Sequence, residues 1–477
     1  MSLVGCYMPS RTNAACIKQL NSRTFLRFHP ALSTIHRSLQ RALPNPMQTT
    51  KKVKIMTVVG ARPNFMKAAP IIAAIREHNE RLAASHEEVR HGDPRIAFES
   101  VLVHTGQHYD EAMSERFFTD LSIPKPDVHL GAGRGSHAVQ TAEIMKRFEE
   151  ALMRERPELL IVVGDVNSTL ACALVAAKIS YEPDGSRPLI GHVEAGLRSF
   201  DRDMPEEINR IVTDHLADLL FVTEESGLKN LREEGIPDRK IHFVGNTMID
   251  SLFAFKDKAR QSPILGGLGL RAENGHIELG NGVAPYALLT LHRPSNVDQR
   301  ESFLSILEGL EELASSCPII FPAHPRTQKK IADFGFERFF GDGAGANGDS
   351  GQASANLNGK IRLIDPLGYI DFLCLMQHAA VVVTDSGGIQ EETTCLGVPC
   401  VTVRENTERP VTIEVGTNVL AGTSAEGIRN AARRQLERKQ NAAVPEAWDG
   451  RSAQRILDVI CDQFTAQAAD SLASARE

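Results

Sequence analysis

No two cysteines of this chain are spaced as a CxxC pair, and no Cys/His group has zinc-like spacing. Neither a thioredoxin-type redox motif nor a structural zinc module is therefore expected, and no metal site is assigned. The eight cysteines lie at 6, 16, 172, 317, 374, 395, 400 and 461. Most sit inside apolar runs such as STLACALVAAK and GVPCVTV, where a buried reduced thiol is the simplest state. No uninterrupted apolar stretch reaches the ~20 residues that cross a bilayer. Basic charge is not in excess either: 60 acidic against 53 basic side chains leave a net charge of −7. A general nucleic-acid binder would carry the opposite balance, whereas a local basic pocket for an anionic small molecule remains open. The expectation is a soluble, cytoplasmic protein without nucleic-acid or membrane partners.

One further absence is local. Residues 1–50 hold Arg11, Lys18, Arg23, Arg27, Arg37 and Arg41 but no Asp or Glu. This composition is that of an organellar transit peptide, or of a disordered or upstream extension before a start at Met47 or Met56. In either case the segment stands apart from the fold.

From Lys51 onward, short apolar runs alternate with longer helical ones. VKIMTVV (53–59), FESVLVHTG (98–106), ELLIVVGD (158–165), PLIGHVEA (188–195), DLLFVTEE (218–225) and IHFVGNT (241–247) read as buried strands, with a helix expected over 65–77 after the first. A second series follows in YALLTLH (286–292), PIIFPAH (318–324), IRLID (361–365), AAVVVTD (379–385) and PCVTV (399–403). Such alternation is the mark of βαβ units in a parallel sheet covered on both faces. The fold class is α/β, with two Rossmann-like domains over 51–247 and 248–449 and a cleft between them at the strand C-termini. Residues 79–95, 266–285 and 341–359 read as surface excursions, and 424–440 and 450–470 as helices.

Chemistry-bearing residues gather at the strand ends. In GARPNFMK (60–67), Arg62 and Lys67 bracket a helix start, whose roughly +0.5 charge favours phosphate or carboxylate. TDSGGIQEE (384–392) repeats the arrangement: Ser386, Gly387 and Gly388 offer a hydroxyl and backbone N–H groups to a pyrophosphate, and Glu391 or Glu392 could accept from ribose. Arg404 and Arg409 in RENTERP follow the next strand. Asp165, His192, Glu194, Arg198, Glu206, Glu207, Asn209, Arg210, His292 and Arg293 add acid–base and cationic groups, with Gln107 and His108 on the same rim. Singly, each has a structural explanation as a cap or a solvated side chain. Together they are what a cleft enzyme requires.

These motifs, in this order from about Lys54 to about Gly422, resemble the non-hydrolysing UDP-N-acetylglucosamine 2-epimerase family. The resemblance implies two Rossmann-like domains arranged as in GT-B glycosyltransferases, a homodimer, and a last helix (450–475) that returns to the N-terminal domain. It implies catalytic roles for Asp165, Glu194, Glu206 and His292. Substrate contacts carry over to Arg62, Lys67, Gln107, His108, Arg198, Arg210, Ser386, Gly387, Gly388, Glu392, Arg404 and Arg409. Ala61 and Asn64 depart from the family's GTRPE turn, and LHRPSN from its LHRRE form.

The implied reaction inverts C2 of a UDP-sugar. UDP leaves C1 as a base removes the C2 proton, and UDP re-adds to the 2-acetamidoglucal as a proton arrives on the other face. No net oxidation occurs, so no cofactor is expected. A hydrolysing epimerase, an epimerase of a UDP-diacetamido sugar, a GT-B glycosyltransferase and a non-catalytic UDP-sugar sensor are the competing readings.

Overall fold

The structure is a computed structural model that describes residues 50–84, 95–107, 123–133, 135–271, 282–341, 360–437 and 443–474. The extension up to Thr49, His108 and most of the loop after Gly341 lie outside the described residues.

Seven strands form the first sheet: β1 (Lys51–Val59), β2 (Ile96–His104), β3 (Val128–His129), β4 (Leu159–Val163), β5 (Leu189–Ala195), β6 (Leu219–Val222) and β7 (Ile241–Phe243). Six form the second: β8 (Ala287–Thr290), β9 (Ile319–Pro322), β10 (Ile361–Ile364), β11 (Val381–Thr384), β12 (Cys400–Thr402) and β13 (Asn418–Leu420). Their spatial orders are β3-β2-β1-β4-β5-β6-β7 and β10-β9-β8-β11-β12-β13. The named strand pairs run parallel. Every residue of β4 (LLIVV) is buried, as expected of a central strand covered on both sides.

The covering helices include α1 (Arg62–Ala84), α2 (His137–Glu155), α3 (Asn167–Lys178), α4 (Pro205–Leu216), α5 (Glu225–Glu233) and α6 (Thr247–Arg260). In the second half they are α7 (Arg300–Ser316), α8 (Pro325–Phe334), α9 (Tyr369–His378), α10 (Gly387–Leu396), α11 (Ala425–Glu437) and α12 (Ser452–Ser474). Helix α1 forms because Phe65, Met66, Ala68, Ala69, Ile71 and Ile75 recur at helical spacing and pack under the sheet. It runs on to Ala84, well past 77, so part of the expected surface excursion is helix. The two-residue β3 and three-residue β13 have no sequence signal of their own: each is an edge strand, added by pairing with β2 or β12.

Residues 50–477 make one compact unit. One apolar core runs through both lobes, from Ile55 and Ile161 through Ile249 and Leu252 of α6 to Leu288 and Val382. The C-terminal α12 packs on α1 and adds Ile456, Leu457, Ile460 and Phe464 to that core. Its first turn is capped from α6, since Asp250 accepts the N–H groups of Ser452 (3.1 Å) and Ala453 (2.7 Å). Just before it, Trp448 donates its indole N–H to the Thr223 carbonyl at 2.8 Å. Among the described residues, no helix is long and apolar enough to cross a membrane.

Candidate active site

The C-terminal ends of β1, β4 and β5 carry the first lobe's contribution. After β1 the chain turns at Gly60, where a Cβ would stand 2.2 Å from Ser168 Oγ, so only glycine fits. Asn64 holds the turn, accepting the N–H groups of Gly60 (3.1 Å) and Ala61 (3.0 Å) and donating to the Val163 carbonyl (2.8 Å). The departure from GTRPE at position 64 thus supplies an acceptor for the turn itself. One helical turn later, Lys67 is buried and ion-paired with Glu194. Glu194 sits at a register shift between β5 and β6, with a left-handed φ of 74°. A residue bearing a Cβ is strained there by roughly 1–2 kcal/mol, and the bulge re-aims its carboxylate. Gly164, at φ 69°, lies beneath: a Cβ would come within 3.4 Å of Asn64 Nδ2, Glu194 Oε2 and Lys67 Nζ.

Across from this, Arg409 of the second lobe donates to Glu194 Oε1 at 3.0 Å. The same guanidinium reaches Glu391 Oε1 at 2.7 Å and Glu408 Oε1, all of them buried. Glu194 therefore ties a cation from each lobe to one carboxylate. Burial works against its ionisation, but Lys67 and Arg409 hold its carboxyl below the ordinary range. Burial also pushes Glu408 up, yet Arg409, Arg404, Arg293 and Arg210 hold it well below its usual value. Glu391 is ion-paired with Arg409, but burial and the neighbouring Glu194 charge keep its pKa raised against the pull of Arg409 and Lys67.

Arg409 lies against the start of α10: a Cβ on Gly387 would fall 2.4 Å from Arg409 Nη1. Ser386, the N-cap, makes no side-chain cap bond. A helix N-terminus and the Ser386 hydroxyl thus meet beside a guanidinium that three carboxylates hold in place, and the α10 N–H groups with that hydroxyl are the donors suited to a phosphate. Beside it, His292 stands at the end of β8 with its side chain 60% exposed, its Nδ1 2.9 Å from buried Asp385 Oδ1. Arg293 approaches Glu408 at 3.8 Å. Opposite, Asp165 receives Arg210 at 2.5 Å, and Arg210 is fixed in turn by Glu207 at 2.7 Å.

Residues 91–461 match the family model described as UDP-N-acetylglucosamine 2-epimerase. The UDP-N-acetylglucosamine 2-epimerase of Methanocaldococcus jannaschii is 38% identical over 411 residues, covering 86% of this chain and 99% of that protein. The chain belongs to the UDP-N-acetylglucosamine 2-epimerase family. A crystal structure of the M. jannaschii enzyme with UDP-GlcNAc and UDP superposes with a TM-score of 0.69 at 36% identity, covering 86% of this chain and 99% of that one. The fold is accordingly the GT-B-like, two-lobed α/β arrangement. The UDP-2,3-diacetamido-2,3-dideoxy-D-glucuronate 2-epimerase of Pseudomonas aeruginosa is also 38% identical, over 387 residues, covering 80% of this chain and 92% of that protein.

Within this family member, the expected site residues divide. Lys67, Glu194, Arg409, Gly387 and Arg404 are linked directly, the last through Glu408 at 2.8 Å. Asp165, Arg210, Ser386 and His292 flank that cluster. Glu206 is half-buried and makes no side-chain bond among the described residues, whereas Glu207 accepts from Ser199 N, Phe200 N and Arg210 and secures the loop. Gly388 lets Met248 approach α10. Glu392 is buried and accepts from the Tyr369 hydroxyl at 2.8 Å; burial raises its pKa to about 7. The side chain of Arg62 and the whole of His108 lie outside the described residues.

Three expected polar residues serve the scaffold. Arg198 does not join the cluster: its guanidinium is used by Asp214 (2.7 Å), by Glu234 (2.7 and 2.8 Å) and by the Leu197 carbonyl (2.7 Å). His192 is pinned between Asp214 (2.6 Å) and the Gly164 carbonyl (2.8 Å). Gln107 binds Ser168 through its side-chain oxygen, at 2.9 Å to N and 2.6 Å to Oγ. Three carboxyl groups that sequence reasoning did not assign also stand here: Asp385, Glu408, and Glu224, whose burial raises its pKa to about 7. The arginines four residues before and one after Glu408 were a usable signal for it, and the strand-end position of TDSGG was one for Asp385.

Proposed function

We propose that this chain interconverts UDP-N-acetylglucosamine and UDP-N-acetylmannosamine without net hydrolysis. The observation that carries the reading is the Lys67–Glu194–Arg409 bridge beside the α10 N-terminus. It fixes a cation from each lobe and a carboxylate beside the helix N-terminus that would receive a departing diphosphate. In the elimination step the C1–O bond breaks with its electron pair going to UDP, the C2 proton passes to a base, and a C1=C2 double bond forms. Re-addition of UDP to C1, with a proton delivered to the opposite face of C2, completes inversion. Asp165, Glu194, Glu206 and His292 are the proposed acid–base groups. Arg62, Lys67, Arg210, Ser386, Gly387, Gly388, Glu392, Arg404 and Arg409 are the proposed nucleotide-sugar contacts. A positioned acid or base contributes roughly 10²–10⁴-fold, and retention of UDP beside the glucal supplies orientation. The reaction is redox-neutral and requires no nicotinamide. We also propose a homodimer, to be read by sedimentation of the full chain.

The P. aeruginosa relative favours a second reading, an epimerase acting on a UDP-diacetamido uronic acid. Full-length protein is incubated in heavy water with either UDP-sugar, and proton and phosphorus NMR are recorded. The expected result is UDP-N-acetylmannosamine carrying one solvent deuterium at C2, with no accumulation of UDP. Turnover without label at C2 refutes elimination. UDP released in step with free N-acetylmannosamine selects hydrolysis, and turnover of the diacetamido sugar alone selects the second reading.

A further inference from the structure

Asp385 has no place among the roles proposed above, yet it gathers the backbone and side chains of the loop that carries His292. It follows β11 directly, between β8 and β12, and is wholly buried. Its two oxygens accept the N–H of His292 (3.1 Å to each), the N–H of Arg293 (2.9 Å) and the amide of Asn296 (3.1 Å). Arg293 Nε returns a bond to the Asp385 carbonyl at 3.0 Å. The imidazole of His292 then lies with Nδ1 against Oδ1 at 2.9 Å. A carboxylate accepts and does not donate, so this contact requires a proton on Nδ1. In the neutral ring the lone pair must then be on Nε2, at the exposed edge.

We infer that Asp385 is the positioning residue for His292: it selects the Nδ1–H tautomer and presents Nε2 to the cleft, one residue ahead of the Ser386–Gly387 turn. The inference rests on the active-site reading above and adds to it a coupling between that turn and the histidine. Burial opposes the charge on Asp385, but the His292 hydrogen bond and charge, with the Arg293 and His292 N–H groups, hold its carboxyl below the ordinary range. The carboxylate is therefore held in its ionised form, and an imidazolium formed at His292 during turnover has a fixed counter-charge.

The test compares wild type, Asp385→Asn, His292→Gln and the double variant as full-length protein. In ¹⁵N-histidine-labelled wild type, the His292 side-chain signals should report Nδ1–H with a bare Nε2, and in Asp385→Asn the Nε2–H tautomer should appear. Asp385→Asn should lower kcat roughly 10²–10³-fold with little change in KM, and should cost nothing further once His292 is Gln. Asn296→Ala removes a donor from Asp385 Oδ2 but leaves the Oδ1 contact with His292 Nδ1, and should lower kcat less than tenfold. An Nε2–H tautomer in wild type overturns the inference even if Asp385→Asn fails to fold. Additive losses in the double variant also overturn it. If wild type does not turn over UDP-N-acetylglucosamine, the functional reading fails while the tautomer measurement still decides the role of Asp385.

Discussion

Glu194→Gln is the substitution whose cost can be worked out most fully. Glutamine keeps the shape of the side chain, so no cavity opens, and the change is one of charge. Arg409 retains Glu391 and Glu408, but Lys67 loses the one carboxylate with which it is paired and is left as a buried ammonium. Removing one partner of a buried pair costs about 3–5 kcal/mol, a large part of the ~5–15 kcal/mol that holds a domain folded. Because the folded-state pKa of Glu194 lies below its ordinary value of 4.5, its contribution is complete above that value and fades as pH falls through the folded pKa. Urea unfolding at pH 7.5 should therefore show Glu194→Gln less stable by about 3–5 kcal/mol, with a gap that closes below pH 4.5. Adding Lys67→Met removes the orphaned charge and should recover most of the loss, while epimerase activity stays down by at least about 10²-fold. A Glu194→Gln protein within about 1 kcal/mol of wild type at pH 7.5, or a double variant no more stable than the single, would refute the reasoning.

Glu392→Gln should act in the opposite direction on stability. The buried carboxyl has a pKa of about 7 against 4.5 for the ordinary group, so folding opposes its ionisation across that interval. The variant should match wild type below pH 4.5 and exceed it by up to about 3 kcal/mol at pH 8, as read from urea midpoints; equal midpoints at pH 8 would contradict this. Gly387→Ala places a methyl 2.4 Å from a guanidinium that three carboxylates hold in place. It should cost about 1–3 kcal/mol in thermal or urea unfolding and weaken UDP binding in calorimetry. Unchanged UDP affinity would show that Arg409 and the α10 N-terminus do not act together.

Most of the frame could be read directly from local pattern. Eleven apolar runs ending in small or polar residues become strands, because a strand buried on both faces needs a continuous run of branched apolar side chains, and that run is visible in LLIVV or AAVVVTD. The edge strands Val128–His129 and Asn418–Leu420 left no such trace, since their pairing comes from a neighbour. At the site, sequence alone brought out the motif residues at strand ends: Lys67, Asp165, Glu194, His292, Ser386 and Arg409. What it could not assign was partnership. Arg198 and Arg409 are both arginines a few residues past a strand, three past β5 and seven past β12, yet one is used inside its own lobe and the other crosses to the opposite lobe. Glu206 and Glu207 are adjacent, but the helix leaves one half-buried without a side-chain bond among the described residues and turns the other into the Ser199–Arg210 loop. Charge partners are set by distances between segments up to 215 residues apart in the chain, and those distances exist only once the two sheets have closed over a shared core.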